Sequence, residues 1–248
     1  FTKSNYSVGD VVYLDPTLVI ENFTGGEILS NVTQENNFTH LTVSEVAPYD
    51  SLVLYMPFDV ENKSDGIVYD WTKENNDGTI NGDPIWNSSG KYGGAYEFDV
   101  VGDVITKSGA ALPNITDNGT ICMWIKINEY PASANAGQRG NLFEAWRGGS
   151  DVWFFGITTI GELYMGQYSS DNVVAGGVSL NEWTFACGTW NQSDFGIYQN
   201  AVFQGSDGTG GIPYDCYDYR IGLPFNAEPG FNGSIDEVMI FNTSLTAQ

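Results

Sequence analysis

"SIDEVMIF" at 234–241 is the stretch whose reading decides the fold. Ile235, Val238, Met239, Ile240 and Phe241 make a short apolar run, and "FNG" at 231–233 supplies a turn before it. A run of this length rich in β-branched and aromatic residues, bounded by Gly and Asn, is a strand signal. In a regular strand successive side chains point to opposite faces, so the adjacent acids Asp236 and Glu237 are expected on opposite sides of the sheet, unable to share a substrate.

Runs of the same kind recur along the chain: "LVLYMPF" at 52–58, "GAYEF" at 94–98, "TICMWIKI" at 120–127, "VWFFGIT" at 152–158, "ELYMGQY" at 162–168 and "EWTFACGTW" at 182–190. Turn clusters such as "NNDGTINGD" separate them, and the chain holds 30 Gly. No 11-residue window keeps a helical apolar stripe free of a Gly, Pro or β-branched interruption. Many short strands with Gly and Asn turns predict an all-β antiparallel sandwich or barrel over residues 50–248. Residues 1–49 read differently: β-branched runs ("DVVYL", "TLVIENF") alternate with four glycosylation tripeptides, and "EVAPYD" at 45–50 reads as a connector. This N-terminal β extension is expected to pack on a sandwich edge, belong to a preceding domain, or donate a strand to a neighbour.

Composition excludes several partners. The 248 residues carry 31 Asp and Glu against 9 Lys and Arg, a net charge of −22, and such a field repels nucleic acid and anionic membranes. No run approaches the length of a membrane span, so direct insertion is not expected. No leader opens at Phe1, and an export signal is expected to have been removed or to lie outside these residues.

Catalytic chemistry is hard to place. Imidazole chemistry needs a His, and His40 in "NFTHLTV" is the sole one. A glycosidase on a sandwich needs two carboxylates on one strand face, yet no E-x-D-x-E or E-x-D-x-x-E occurs. "DVENKSDG" at 59–66 fails as a calcium loop, because Lys63 takes a ligand position and no Glu closes it. The chain therefore reads as no enzyme. Cys122, Cys187 and Cys216 allow three pairings; the polar setting of "PYDCYDY" favours Cys187 with Cys216.

Eleven of 22 Asn residues head an Asn-x-Ser/Thr tripeptide, where chance placement among 18 Ser and 18 Thr would give about three. They are Asn5, Asn22, Asn31, Asn37, Asn62, Asn87, Asn114, Asn118, Asn191, Asn232 and Asn242. The excess points to an N-glycosylated protein outside the cytoplasm, at the cell surface or beyond it. None lies in the 72 residues between Asn118 and Asn191, a gap that contains "EAWRGGSDVWFFGITTIGELYMGQYSS". Trp146, Arg147, Trp153, Tyr164 and Tyr168 in that hairpin-like region are the candidate contacts for a carbohydrate or surface-protein ligand.

Residues 50–248 resemble the laminin-G-like branch of the concanavalin A-like lectin/glucanase superfamily. The resemblance rests on five pieces in order: "LVLYMPFDVENKSDGIVYDWTKENNDGTINGDPIW", "GKYGGAYEFDVVGDVI", "GTICMWIKIN", "NEWTFACGTWNQSDFGIYQNAVF", and "YRIG" followed by "FNGSIDEVMIFNTSLTAQ". It implies a jelly-roll sandwich with a structural calcium ion near the junction of the chain ends, held by Asp59 and Asp236, with Asp70 and Asp77 as further candidates. Trp71 and Lys73 replace small residues of the family pattern. The family hosts adhesion modules, lectins, enzyme appendages and filament modules. The expected function is a non-catalytic extracellular adhesion or recognition module. The alternatives are a filament, sheath or S-layer subunit assembling through its extension, and a degenerate glycan-active enzyme.

Overall fold

The computed structural model describes residues 11–14, 27–35, 38–45, 51–61, 65–99, 102–109, 112, 115–132, 139–148, 151–167, 173–208, 216–222 and 230–245. Two compact units divide the chain, Phe1–Ser51 and Leu52–Gln248. In the first, β1 (Val11–Leu14), β2 (Glu27–Glu35) and β3 (Phe38–Glu45) form an antiparallel sheet in the order β1-β3-β2. His40 pairs in register with Tyr13 and Thr33, so it is a mid-strand residue of this sheet.

Among its described residues the second unit holds sixteen strands: β4 (Leu52–Met56), β5 (Ile67–Val68), β6 (Gly78–Asn81), β7 (Ile85–Asn87), β8 (Ala95–Asp99), β9 (Val104–Ser108), β10 (Gly119–Ile127), β11 (Arg139–Gly148), β12 (Asp151–Thr158), β13 (Glu162–Gln167), β14 (Val173–Gly177), β15 (Trp183–Trp190), β16 (Phe195–Gln199), β17 (Val202–Ser206), β18 (Asp218–Ile221) and β19 (Asn232–Phe241). They build two eight-stranded sheets. Sheet 1 runs β17-β16-β15-β10-β19-β8-β7 with β4 also on β19, and sheet 2 runs β14-β13-β12-β11-β18-β9-β6-β5. Every strand pairing is antiparallel, and the architecture is the all-β jelly-roll sandwich expected from the sequence. Among the described residues no helix is long and apolar enough to cross a membrane.

The core follows from alternation. Ile121, Met123 and Ile125 of β10 face inward from sheet 1, and Phe143, Phe155 and Met165, which are register neighbours, face inward from sheet 2. Trp153 and Trp190 meet between the sheets with ring centroids 5.2 Å apart, and the Trp190 indole N–H donates to the Ile115 carbonyl at 2.6 Å. A carbon on Gly119 would lie 2.0 Å from the Trp190 ring, so that indole lies directly on the backbone of β10.

The disulfide corrects the expected pairing. It joins Cys122 to Cys187, not Cys187 to Cys216. The two cysteines face each other across neighbouring strands β10 and β15 with Cα atoms 4.2 Å apart, the close approach of an antiparallel pair. Cys216 is buried, and its thiol donates to the Asp218 carbonyl at 3.1 Å.

The bond closes a segment of 65 residues, for which chain entropy gives a stabilisation of about 4 kcal/mol. The variant carrying Cys122→Ala and Cys187→Ala is expected to lose roughly that amount in urea unfolding. Cys216→Ser should leave the cross-strand disulfide intact in a non-reducing peptide map; a Cys216-containing disulfide peptide would refute the assignment.

Candidate functional site

The most unusual chemistry of the second unit lies on β19. Between Cys122, opposite Met239, and Trp124, opposite Asp236, the register slips, so Glu237 and Val238 together oppose the single residue Met123. This is a β-bulge, and Glu237 adopts the left-handed backbone with φ 54°. The strict alternation that would separate Asp236 from Glu237 is broken. Both side chains are buried, and the charge of each of Asp236 and Asp59 adds to the upward shift of the Glu237 carboxyl. The sequence-based expectation of opposite faces is thereby overturned.

The Gly90–Gly94 loop is gripped by two of these acids. Asp236 Oδ2 accepts the Lys91 and Tyr92 N–H groups at 2.8 and 3.0 Å, while Asp59 Oδ1 accepts from Gly94 at 3.3 Å. Gly93 has φ +58°, and a carbon added there would lie 1.9 Å from Asp59 Oδ1, so only glycine allows this approach. The Tyr55 hydroxyl donates to Glu237 Oε2 at 2.7 Å. Two oxygens are left over: Asp236 Oδ1 and Glu237 Oε1 are buried without a hydrogen-bond partner.

Lys91 does not neutralise the group. Its backbone serves Asp236, but its ammonium sits 4.3 Å from the Trp124 ring centroid. Burial first, then neighbouring acids, push Asp236 and Glu237 each up to about 7, and burial raises Asp59 as well. Among the described residues no three His, Cys, Asp or Glu side chains gather closely enough to hold an ion by themselves. The orphaned oxygens and uncompensated charge nevertheless fit a hard cation that takes its remaining oxygens from backbone carbonyls.

Asp70 and Asp77 do different work. Asp70 is buried and accepts four hydrogen bonds, from the Tyr55, Thr72 and Asn76 N–H groups and the Thr72 hydroxyl, at 2.8 to 3.0 Å. Asp77 Oδ1 accepts the Asp70 N–H at 2.8 Å. These two acids tie the 70–77 loop to β4, and neither figures among the charges that act on Asp236 or Glu237.

The aromatic hairpin is divided by burial. Trp153 is 2% exposed and stacks on Phe143 at 5.1 Å, so it is core and cannot present its ring to a ligand. Tyr164 is 1% exposed; its hydroxyl donates to Asn141 Oδ1, and Asn141 donates to Glu144 Oε2 at 2.6 Å. Trp146 is half-buried, whereas Arg147 is exposed with its guanidinium 5.6 Å from the Tyr217 ring centroid. Tyr168 lies outside the described residues. The Tyr164–Asn141–Glu144 relay escaped the sequence reading because Tyr164 comes from β13 and the Asn141–Glu144 pair from β11, two strands that the sequence does not bring together. All three arginines of the chain, Arg139, Arg147 and Arg220, lie in the adjacent strands β11 and β18.

Residues 99–248, more than half of the chain, match the laminin-G-like sequence profile described as concanavalin A-like lectin/glucanases superfamily. The chain belongs to that superfamily. No curated protein matches it in sequence. Solved structures with this fold include domain 4 of AbnA, a GH43 extracellular arabinanase from Geobacillus stearothermophilus in complex with arabinotriose, at 19% identity and TM-score 0.60. That match covers 79% of this chain and 95% of the arabinanase domain. The receptor binding domain of the botulinum neurotoxin C/D mosaic serotype is 18% identical over 80% of this chain, with TM-score 0.60. Trypanosoma rangeli sialidase is 13% identical over 83%, also at 0.60. The chain spans 49% of the toxin domain and 33% of the sialidase. At these identities the likeness establishes the lectin-like sandwich.

Among the described residues of the second unit, the glycosylation tripeptides lie in or next to strands of sheet 1. Asn87 lies in β7, Asn118 precedes β10, Asn191 follows β15, Asn232 opens β19 and Asn242 follows it, all strands of sheet 1. No strand of sheet 2 contains one. Asn31 lies in β2, and Asn5, Asn22, Asn37, Asn62 and Asn114 fall outside the described residues.

A cation held by these acids would compete with protons for them. Because both carboxyls sit near 7, above their ordinary 3.8 and 4.5, their stabilising contribution is complete only below the ordinary range and is lost as pH rises through about 7. In chelator the melting temperature is expected to fall between pH 5 and pH 8, and millimolar calcium should restore it at pH 8. Asp236→Asn should raise the chelator-state melt at pH 8 while abolishing the calcium gain; a melt indifferent to calcium in the parent protein would remove the ion from this site.

Proposed function

We propose that this chain is a non-catalytic recognition module of an exported glycoprotein, that a calcium ion steadies its β19 bulge, and that its ligand lies on the outer face of sheet 2. The observation that carries the reading is that the described glycosylation tripeptides of the second unit lie in or next to strands of sheet 1 and in none of sheet 2. Glycans are bulky and solvated, so a face without them is the one left for contact. That face offers half-buried Trp146, Phe154 and Arg220, with exposed Arg147 beside Tyr217 at its end. Ring faces with guanidinium donors suit a carbohydrate, whose hydroxyls accept hydrogen bonds and whose C–H faces stack. Laminin-G-like lectin domains are typically extracellular, which accords with the tripeptide excess.

The case against catalysis now rests on burial. Asp236 and Glu237 do share a site, but they are 0% and 5% exposed and covered by the Gly90–Gly94 loop, which leaves a glycan no approach. A second reading, self-assembly through the N-terminal unit, is favoured by Phe1–Ser51 being a compact unit with its own paired strands. Deleting residues 1–51 should spare glycan binding if the module is a recognition domain and abolish assembly if it is a filament subunit.

Thr106→Asn creates Asn-Lys-Ser at 106–108 on β9, next to Arg220 in register. On an array of immobilised glycans, the variant glycosylated there is expected to lose binding at least tenfold, whereas Asn191→Gln should keep it. Equal binding by both would displace the ligand from sheet 2, and hydrolysis of an array glycan, lost in Asp236→Asn, would make the protein an enzyme.

A further inference from the structure

The outer face of sheet 1 departs from the polar surface expected of a solvated antiparallel sheet. Five successive register pairs place Phe203, Tyr198, Cys187, Cys122, Met239 and Tyr55 in one row across six strands. At one end of the row the Tyr198 and Phe203 rings lie 5.3 Å apart in an edge-on pair, and Phe203 is 54% exposed. Both rings lean over Gly196, where an added carbon would lie 3.6 Å from Phe203 and 3.8 Å from Tyr198. Gly196 stands opposite Thr189, two residues before Asn191.

Asn191 is placed to reach them. Its Oδ1 accepts the Ser193 N–H at 2.8 Å, a local turn that occupies the oxygen and not the amide nitrogen, the atom that bears an N-linked sugar. Two residues of strand rise separate Asn191 from the level of the leaning rings, roughly 7 Å. The first sugars of an N-glycan cover that length. The occupant is further constrained by charge: a second copy of this chain would bring another 22 negative charges, whereas the core sugars of an N-glycan are neutral.

We propose that the glycan on Asn191 folds back onto the Tyr198–Phe203 ring pair, so that its inner sugars stack on these rings and complete the outer face of sheet 1. The inference rests on the reading of the chain as an N-glycoprotein and adds a docking site for the sugar. Stacking of a pyranose C–H face on an aromatic ring buries apolar surface on both partners, which slows the sugar's motion and its attack by enzymes. The same geometry accounts for Phe203 standing 54% exposed on an edge strand, β17.

The test is made on the exported protein. Glycopeptide mass spectrometry first reads occupancy at Asn191; an empty site would end the glycoprotein reading at this position and the docking with it. On occupied protein, the rate at which an endoglycosidase trims the Asn191 glycan is compared between the parent and the variant with Tyr198→Ser and Phe203→Ser. Trimming several-fold faster in the variant, with Asn118 trimming unchanged, supports docking. Equal rates at Asn191 would overturn it, as would a parent that is dimeric and a variant that is monomeric, because the rings would then be covered by a second copy. If the double variant misfolds, Phe203→Ser alone, at an exposed edge position, gives the same comparison.

Discussion

The bulge at Glu237 is the constraint from which the rest of sheet 1 takes its shape. β19 pairs with β10, β8 and β4, so a one-residue slip in it is felt by three neighbours. The slip gathers Asp236, Glu237 and Asp59 around the Gly90–Gly94 loop, and burying several like charges together is costly unless something opposes them. Left-handed backbone at a non-glycine residue adds strain of its own. A fold that keeps both costs at its most connected strand is poised to respond to whatever neutralises those acids.

The two outer faces have opposite characters. Sheet 1 carries the disulfide, the Tyr198–Phe203 ring pair and the described glycosylation tripeptides of this unit, whereas sheet 2 carries the arginines and the buried Tyr164–Asn141–Glu144 relay. A strongly acidic chain that carries its three arginines on two adjacent strands has set that part of sheet 2 apart in charge. Phe154, tilted against Tyr164 at 5.4 Å, joins the relay to the aromatic part of that side.

How much of this could be read beforehand follows from which features are local. Strands at 52–56, 119–127, 183–190 and 232–241 coincide with the apolar runs, because alternation is written residue by residue. The disulfide was missed because pairing depends on which strands are neighbours, and the sequence places Cys122 and Cys187 65 residues apart. Parity misled at Asp236 and Glu237 for the same reason, since a bulge is visible only against the partner strand. Trp153 and Tyr164 were legible as strand aromatics but not as buried ones. Trp153 faces the core, and Tyr164 lies across Gly156 of the neighbouring strand, where an added carbon would be 2.7 Å from its ring.

The Asp70 knot bears on what this protein avoids. Asp70 takes the Tyr55 N–H and the Trp71 N–H donates to the Tyr55 carbonyl at 2.8 Å, so mid-strand donor and acceptor of β4 are both engaged by the loop that follows. An open edge of this kind invites strand-by-strand accretion of unfolded or misassembled chains. One carboxylate and its turn thus act as a stopper on that edge, supplied by a residue whose own side chain is buried.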